Sequence, residues 1–139
     1  MTNYEILLDD IEQKGILYIQ TRSSKQPAMT MRDDGEYAIF FDEAAFETTA
    51  KRYVALLHED CHCETGVIYN INTPLATIRK YERRTWRHAV LTRLPFAELY
   101  YALQEGITER WELAEHFEVT EEFIDMALDV YRRQGLLRG

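Results

Sequence analysis

The hydrophobic and polar positions along the chain follow two different periods, and these predict two kinds of element. Apolar residues recur at helical spacing over 4–13 and over 43–63, and neither proline nor glycine interrupts the second stretch. Short β-branched and aromatic runs at 15–20 and 37–41 predict two strands. We expect these strands to form a small antiparallel sheet near the N-terminus, with the polar segment 21–30 as a loop.

Capping residues and prolines indicate where the helices begin and end. Asp42 is expected to cap the long helix at its N-terminus, and Gly66 follows that helix as a stop signal. Pro74 and Pro95 bound a second long helical stretch. One further helix and then two shorter ones are expected after it, the last capped by Thr120. A small sheet followed by helices predicts an α+β fold.

Composition and charge narrow the class of protein. A chain of 139 residues with 46% hydrophobic residues is large enough to bury one core. No segment approaches the roughly 18 consecutive apolar residues that span a bilayer, and the acidic N-terminus is unlike a signal peptide. Two cysteines offer no disulfide framework, so we expect a cytoplasmic protein with no membrane association. The formal charge of −8 counts against nucleic acid as the main partner.

The segment HEDCH, residues 58–62, carries the strongest chemical signal. Two imidazoles four residues apart on a helix project from one face, so His58 and His62 can reach one metal ion. Glu59 stands where it can accept a proton from a water molecule at that ion. The alternative is a chance pattern on the outside of an acidic helix, with both rings in water. The apolar residues Val54 and Leu57 nearby count against that alternative.

A catalytic zinc ion needs a third protein ligand and an open fourth position. Glu82 is the only acidic residue of the predicted helix between the two prolines. Spacing alone leaves two interpretations open, because Glu82 could bind metal or form surface ion pairs with the arginines around it. Cys61 is a further candidate ligand, although a small buried hydrophobe is its more ordinary role. His88 is isolated, so we expect a packed or surface histidine there; the alternative is that it faces the cleft and stabilises an oxyanion.

The strings HEDCHCETG, KYERRTWRHAV and ELAEHFEVTEEFIDMAL together resemble the ImmA/IrrE family of metallo-endopeptidases, over about residues 41–131. This resemblance implies that Glu82 is the third zinc ligand beside His58 and His62, with Glu59 as the catalytic base. It implies a zincin-like fold in which the small antiparallel sheet packs on the helix that carries HEDCH, which matches the HExxH motif.

The resemblance also predicts the organisation of the chain and its partner. We expect a single domain over 1–139, in which about 1–95 form the catalytic part and about 96–139 a helical tail with a helix-turn-helix outline. The implied partner is a protein substrate, often a helix-turn-helix repressor encoded nearby on a phage or mobile element. Asp60, Cys61 and Trp86 depart from the family pattern. They motivate an alternative, a catalytically weak metal-binding regulator that docks a partner.

The helix-turn-helix outline of the tail raises a third hypothesis, a DNA-binding regulator. Between Glu98 and Val130 the sequence has ten carboxylates and Arg110 as its single basic residue. A helix that reads bases needs hydrogen-bond donors near the DNA phosphates, so these carboxylates should repel DNA. We therefore expect a packing or protein-docking role for the tail. We expect the basic run from Arg79 to Arg93 to pair with this acidic tail or to bind an acidic segment of a protein substrate.

Overall fold

A computed structural model describes residues 1–23, 25–69 and 72–138, and within them the chain is α+β, with one three-stranded sheet and six α-helices. The strands are β1 (Leu17–Gln20), β2 (Ala28–Asp33) and β3 (Glu36–Phe41). The helices are α1 (Asn3–Gln13), α2 (Thr49–Thr65), α3 (Leu75–Arg93), α4 (Phe96–Gln104), α5 (Arg110–Phe117) and α6 (Glu121–Arg133). No helix in these ranges is long and apolar enough to cross a membrane.

The sheet is mixed, so the prediction of an antiparallel sheet was wrong for one of its two strand pairs. β3 lies in the centre, parallel to β1 and antiparallel to β2. The first half of the third strand, β2, falls within the segment 21–30 that was predicted as a loop. Its second half, residues 31–33, is exposed and includes the charged residues Arg32 and Asp33, which weakens the strand signal in the sequence. Asp34 and Gly35, both with positive φ, make the tight turn that pairs β2 with β3.

The long helix predicted over 43–63 is divided into a short 3₁₀ helix, Glu43–Ala45, and α2. Thr48 caps α2, because its hydroxyl accepts a hydrogen bond from the Lys51 amide at 3.1 Å. Asp42 is the N-cap residue of the 3₁₀ helix by position but makes no side-chain cap bond, so it does not cap the long helix as predicted. The predicted stop is confirmed: Gly66 ends α2 in the left-handed conformation, with a φ of 70°.

The later boundaries follow the prediction closely. Pro74 and Pro95 are the N-terminal flanking residues of α3 and α4. The Thr120 hydroxyl accepts a hydrogen bond from the Phe123 amide at 3.1 Å and caps α6. A short, partly extended segment is also predicted over 66–74, and residues 70 and 71 of it lie outside the described residues.

The core surrounds α2, which packs against α1, α3 and the sheet. Its fully buried side chains include Leu56 and Leu57 of α2 and Phe41 of β3. The acidic tail shares this core, because Phe123 of α6 is fully buried and the Tyr131 hydroxyl donates to the Leu94 carbonyl at 2.7 Å. Burying each such side chain stabilises the fold by about 1.5–3 kcal/mol. The tail therefore has the packing role expected of it.

A buried ion pair at Asp60, the middle residue of the HEDCH segment, fixes α2 to its neighbours. The Asp60 side chain is 0% exposed, and Lys14, just past the end of α1, donates to its two oxygens at 2.7 and 2.9 Å. Arg93 at the end of α3 lies 3.8 Å from the same carboxylate. A buried carboxylate needs such partners, because removing it from water is otherwise very costly. Asp60 thus ties three helices together beneath the histidines.

Candidate metal centre

Two helices bring His58, His62 and Glu82 together. α2 places the two imidazoles one turn apart on the same face, with ring centroids 4.5 Å apart. Glu82 reaches them from α3, with Oε2 at 2.7 Å from His58 Nε2 and Oε1 at 3.5 Å from His62 Nε2. One potential ligand atom from each residue lies within 4.8 Å of the others, so the group could hold a metal ion. Among the described residues, Glu82 forms no ion pair with the arginines around it.

The orientation of the His62 ring suits a metal ligand. Its Nδ1 lies 2.7 Å from the backbone carbonyl oxygen of Val67, which can only accept a hydrogen bond. Nδ1 is therefore the donor, and a neutral ring then presents the Nε2 lone pair to the Glu82 carboxylate. Two acceptors that face each other in this way favour a cation between them. A ring nitrogen held by a backbone carbonyl is also the usual support of a histidine that binds metal.

Negative charge is concentrated around His58. Its Nδ1 lies 3.1 Å from Glu59 Oε2, and its Nε2 faces Glu82. Burial lowers the pKa of His58, but the hydrogen bonds to these two carboxylates outweigh it and raise the pKa to about 9. Burial raises the pKa of Glu82, whereas its contacts with His58, His62 and Tyr69 hold that pKa well below its usual range. The surroundings therefore favour positive charge at this point.

The edge strand β2 holds the Glu59 carboxylate in place. The Thr30 hydroxyl lies 2.8 Å from Glu59 Oε1, to which it donates, and 3.2 Å from the Glu59 backbone carbonyl oxygen. The side chain of Glu59 is nearly buried, and its second oxygen faces His58. Sequence reasoning missed Thr30 because the segment that contains it was predicted as a loop.

Two aromatic residues complete the surroundings of the ligand group. The Tyr69 hydroxyl donates a short hydrogen bond to Glu82 Oε1, and its ring packs edge-on against His62 at 5.7 Å. Trp86 stacks on His58 with ring centroids 4.5 Å apart. No spacing pattern singles out Tyr69 in the sequence, and Trp86 stands out there only as a departure from a family pattern.

A cleft of about 660 Å³ opens beside these residues. β2 forms one wall, the segment after α2 forms another, and the HEDCH segment contributes three side chains. The lining residues are Gln26, Ala28, Met29, Thr30, Met31, Arg32, His58, Glu59, His62, Val67, Ile68 and Tyr69. Because β2 is one of the two edge strands, one of its edges is free of a neighbouring strand within the described sheet. The cleft could therefore admit an extended chain segment.

Two other candidate residues lie outside the group. Cys61 is fully buried, burial raises the pKa of its thiol to about 12, and the group of potential ligands found among the described residues does not include it. His88 Nε2 lies 3.0 Å from Glu64 Oε2, and His88 is absent from the cleft lining within the described residues. These contacts agree with the packed or surface position expected of His88 and give no support to the alternative that it faces the cleft.

Comparison with known proteins finds no match: no protein-family model, no curated protein and no solved structure matches the chain. The candidate metal centre therefore stands on its own geometry. The resemblance to the ImmA/IrrE family and the zincin-like packing remain predictions.

Proposed function

We propose that the chain is a zinc-dependent endopeptidase that hydrolyses a peptide bond in a protein substrate. The observation that carries this proposal is the convergence of His58, His62 and Glu82 within 4.8 Å, with the Glu59 carboxylate beside them. Two imidazoles and one carboxylate suit zinc better than magnesium or calcium, which prefer oxygen ligands. Three protein ligands also leave a position open for reacting groups.

The roles of the residues follow from their positions. His58, His62 and Glu82 would hold the ion, which when bound supplies Lewis acidity toward the scissile carbonyl and an attacking water. Glu59 accepts the proton of that water as its oxygen bonds to the carbonyl carbon. When the carbon–nitrogen bond breaks, Glu59 passes the same proton to the leaving amine. One water is consumed and one peptide bond is cleaved.

Two further side chains act through these residues. Thr30 holds Glu59 Oε1 from the edge strand, which positions the carboxylate toward the cleft. Tyr69 donates to Glu82 Oε1, which limits the rotation of the third ligand. We assign both residues positioning roles.

The substrate proposal rests on the cleft and on the family resemblance. The free edge of β2 runs along the cleft, so an extended segment of a protein could pair with it through backbone hydrogen bonds. The resemblance to the ImmA/IrrE family supports a helix-turn-helix repressor, encoded nearby on a phage or mobile element, as that protein.

A peptide library tests the proposal across many sequences at once, so the experiment needs no chosen substrate. The zinc-loaded chain is incubated with peptides derived from a whole proteome, and new termini are identified by mass spectrometry. We expect cleavage by the wild type and its loss in Glu59→Gln. Glu47→Gln is the matched control, because its side chain is 84% exposed in the segment preceding α2. Absence of new termini with the wild type would count against the proposal.

A second candidate function is a metal-binding regulator with weak catalysis. It is favoured by the engagement of both Glu59 oxygens, one by Thr30 and the other by His58 Nδ1, and by the cover of Trp86 over His58. This function predicts bound zinc with no cleavage by either wild type or Glu59→Gln. A DNA-binding role gains no support, because Arg110 in the acidic tail is paired with Glu121 and Asp125.

A further inference from the structure

One face of α3 carries five exposed cationic side chains. We call it the α3 basic face, and it consists of Arg79, Lys80, Arg83, Arg84 and Arg87. At about 100° per residue these positions share one side of the helix. The opposite side buries Thr85 and Ala89. Within residues 1–23, 25–69 and 72–138, none of the five forms a salt bridge or side-chain hydrogen bond.

The predicted pairing of these residues with the acidic tail is therefore not formed. Like charges four residues apart, as in Arg79 and Arg83, destabilise a helix. The chain has 24 acidic residues, and its tail pairs Arg110 internally with Asp125. An uncompensated basic face in an acidic protein is suited to an anionic partner from outside the chain.

The α3 basic face belongs to the helix that supplies the third candidate ligand. Glu82 lies between Lys80 and Arg83 in the sequence and points toward His58. Arg32 of β2 lines the cleft and forms no ion pair among the described residues. Cationic side chains therefore lie both on the helix that supplies Glu82 and on the strand that forms the cleft.

We propose that the α3 basic face binds an acidic segment of the protein substrate. This inference rests on the proposed endopeptidase function and adds a substrate preference to it. From Arg79 to Arg87 the face is about 12 Å long, which matches about four residues of an extended peptide. Its side chains offer guanidinium groups, which bind carboxylates through paired hydrogen bonds.

A protein segment fits this surface better than a nucleic acid does. The acidic tail packs directly on α3, since Phe123 of α6 lies 6.4 Å from Trp86. A long polyanion that extends beyond the α3 basic face would meet the carboxylates of α6, such as Glu122 and Asp125. A short acidic peptide avoids that repulsion.

Peptide binding tests the inference separately from hydrolysis. The full-length Glu59→Gln chain, loaded with zinc, is titrated into a fluorescein-labelled peptide with a run of glutamates and into its counterpart with glutamines. We expect the glutamate peptide to bind on the order of tenfold more tightly, with a preference that falls as salt rises. The triple variant Arg79→Gln, Arg83→Gln, Arg87→Gln should lose that preference while it retains its zinc.

A matched control carries the same change of charge elsewhere. The triple variant Arg132→Gln, Arg133→Gln, Arg138→Gln removes three exposed cations near the C-terminus and should keep the preference. Equal binding of the two peptides, or an unchanged preference in the α3 variant, would overturn the inference. So would tighter binding of a labelled single-stranded DNA that depends on the same arginines, or self-association that these arginines control.

The outcomes also separate this inference from the proposed function. Loss of the acidic preference with library cleavage intact refutes only the role of the α3 basic face. A clear acidic preference without library cleavage by the wild type refutes the endopeptidase, and with it the substrate role of this face.

Discussion

His62 and Val67 are joined by a 2.7 Å hydrogen bond from the ring Nδ1 to the backbone carbonyl oxygen. The acceptor lies just beyond Gly66, whose left-handed conformation ends α2 and turns the chain back toward the histidine. The chain reversal at Gly66 therefore has a second effect, on the His62 ring. It sets the tautomer of a neutral His62 and turns Nε2 toward Glu82.

Replacement of Tyr69 by phenylalanine should weaken metal binding. The variant removes the hydroxyl that donates to Glu82 Oε1 but keeps the ring that packs against His62. Loss of such a supporting hydrogen bond lowers metal affinity by about 10–100-fold. Competition titration with a chromogenic zinc chelator measures the change. Tyr101→Phe, at an exposed position of α4, should bind zinc as the wild type does, and equal affinity of all three proteins would contradict the role of Tyr69.

Replacement of Thr30 by valine should lower kcat more than it changes KM. Valine keeps the shape and strand preference of threonine, but Glu59 Oε1 loses its hydroxyl donor. A misplaced general base lowers the rate by about 10–100-fold. Steady-state kinetics on a peptide identified from the library measures both constants. Thr30→Ser restores the hydroxyl and should recover most of kcat, and a serine variant as slow as the valine variant would argue for a merely structural role.

Replacement of Lys14 by methionine should destabilise the fold. Asp60 is 0% exposed, so its carboxylate would be left with Arg93 at 3.8 Å as its nearest cation among the described residues. Removing one partner of a buried pair typically costs about 3–5 kcal/mol, and we expect the lower end because Lys14 itself is 36% exposed. Urea unfolding measures the loss. Lys51→Met, at an exposed i,i+4 pair, is the control and should change the free energy of unfolding by less than about 1 kcal/mol.

Much of the fold follows from local signals in the sequence. Gly66, Pro74, Pro95 and Thr120 mark helix ends by conformational preference and by capping, and each lies at the boundary expected of it. The order of the strands does not follow from local signals. Strand order depends on which edge of the β2–β3 hairpin β1 joins, and the sequence of β1 is compatible with either direction of pairing.

Local sequence likewise predicts some residues of the candidate metal centre and not others. His58 and His62 share a helix, so their spacing alone predicts that they face one ion. Glu82 lies 24 residues after His58, and only the packing of α3 on α2 brings it near. Thr30 and Tyr69 belong to a strand and a loop whose chemistry leaves no periodic pattern. Contacts of that kind become visible only in the folded chain.

Replacement of Cys61 by alanine should leave zinc binding unchanged. The Cys61 side chain is fully buried in the core, and no described group of potential ligand atoms includes it. The loss of a buried sulfur should lower the free energy of unfolding by about 1 kcal/mol. Metal analysis together with thermal unfolding separates the two effects. Reduced zinc content in a folded Cys61→Ala protein would make Cys61 a ligand and contradict the three-residue group.

Zinc stoichiometry and affinity, measured by isothermal titration and elemental analysis on the full chain, test the central claim most directly. We expect one zinc ion per wild-type chain and its loss in His58→Ala, His62→Ala and Glu82→Ala. His116→Ala, at an exposed position outside the group, should bind as the wild type does. A wild-type chain that binds no zinc, or a Glu82→Ala variant that binds it with undiminished affinity, would contradict the account.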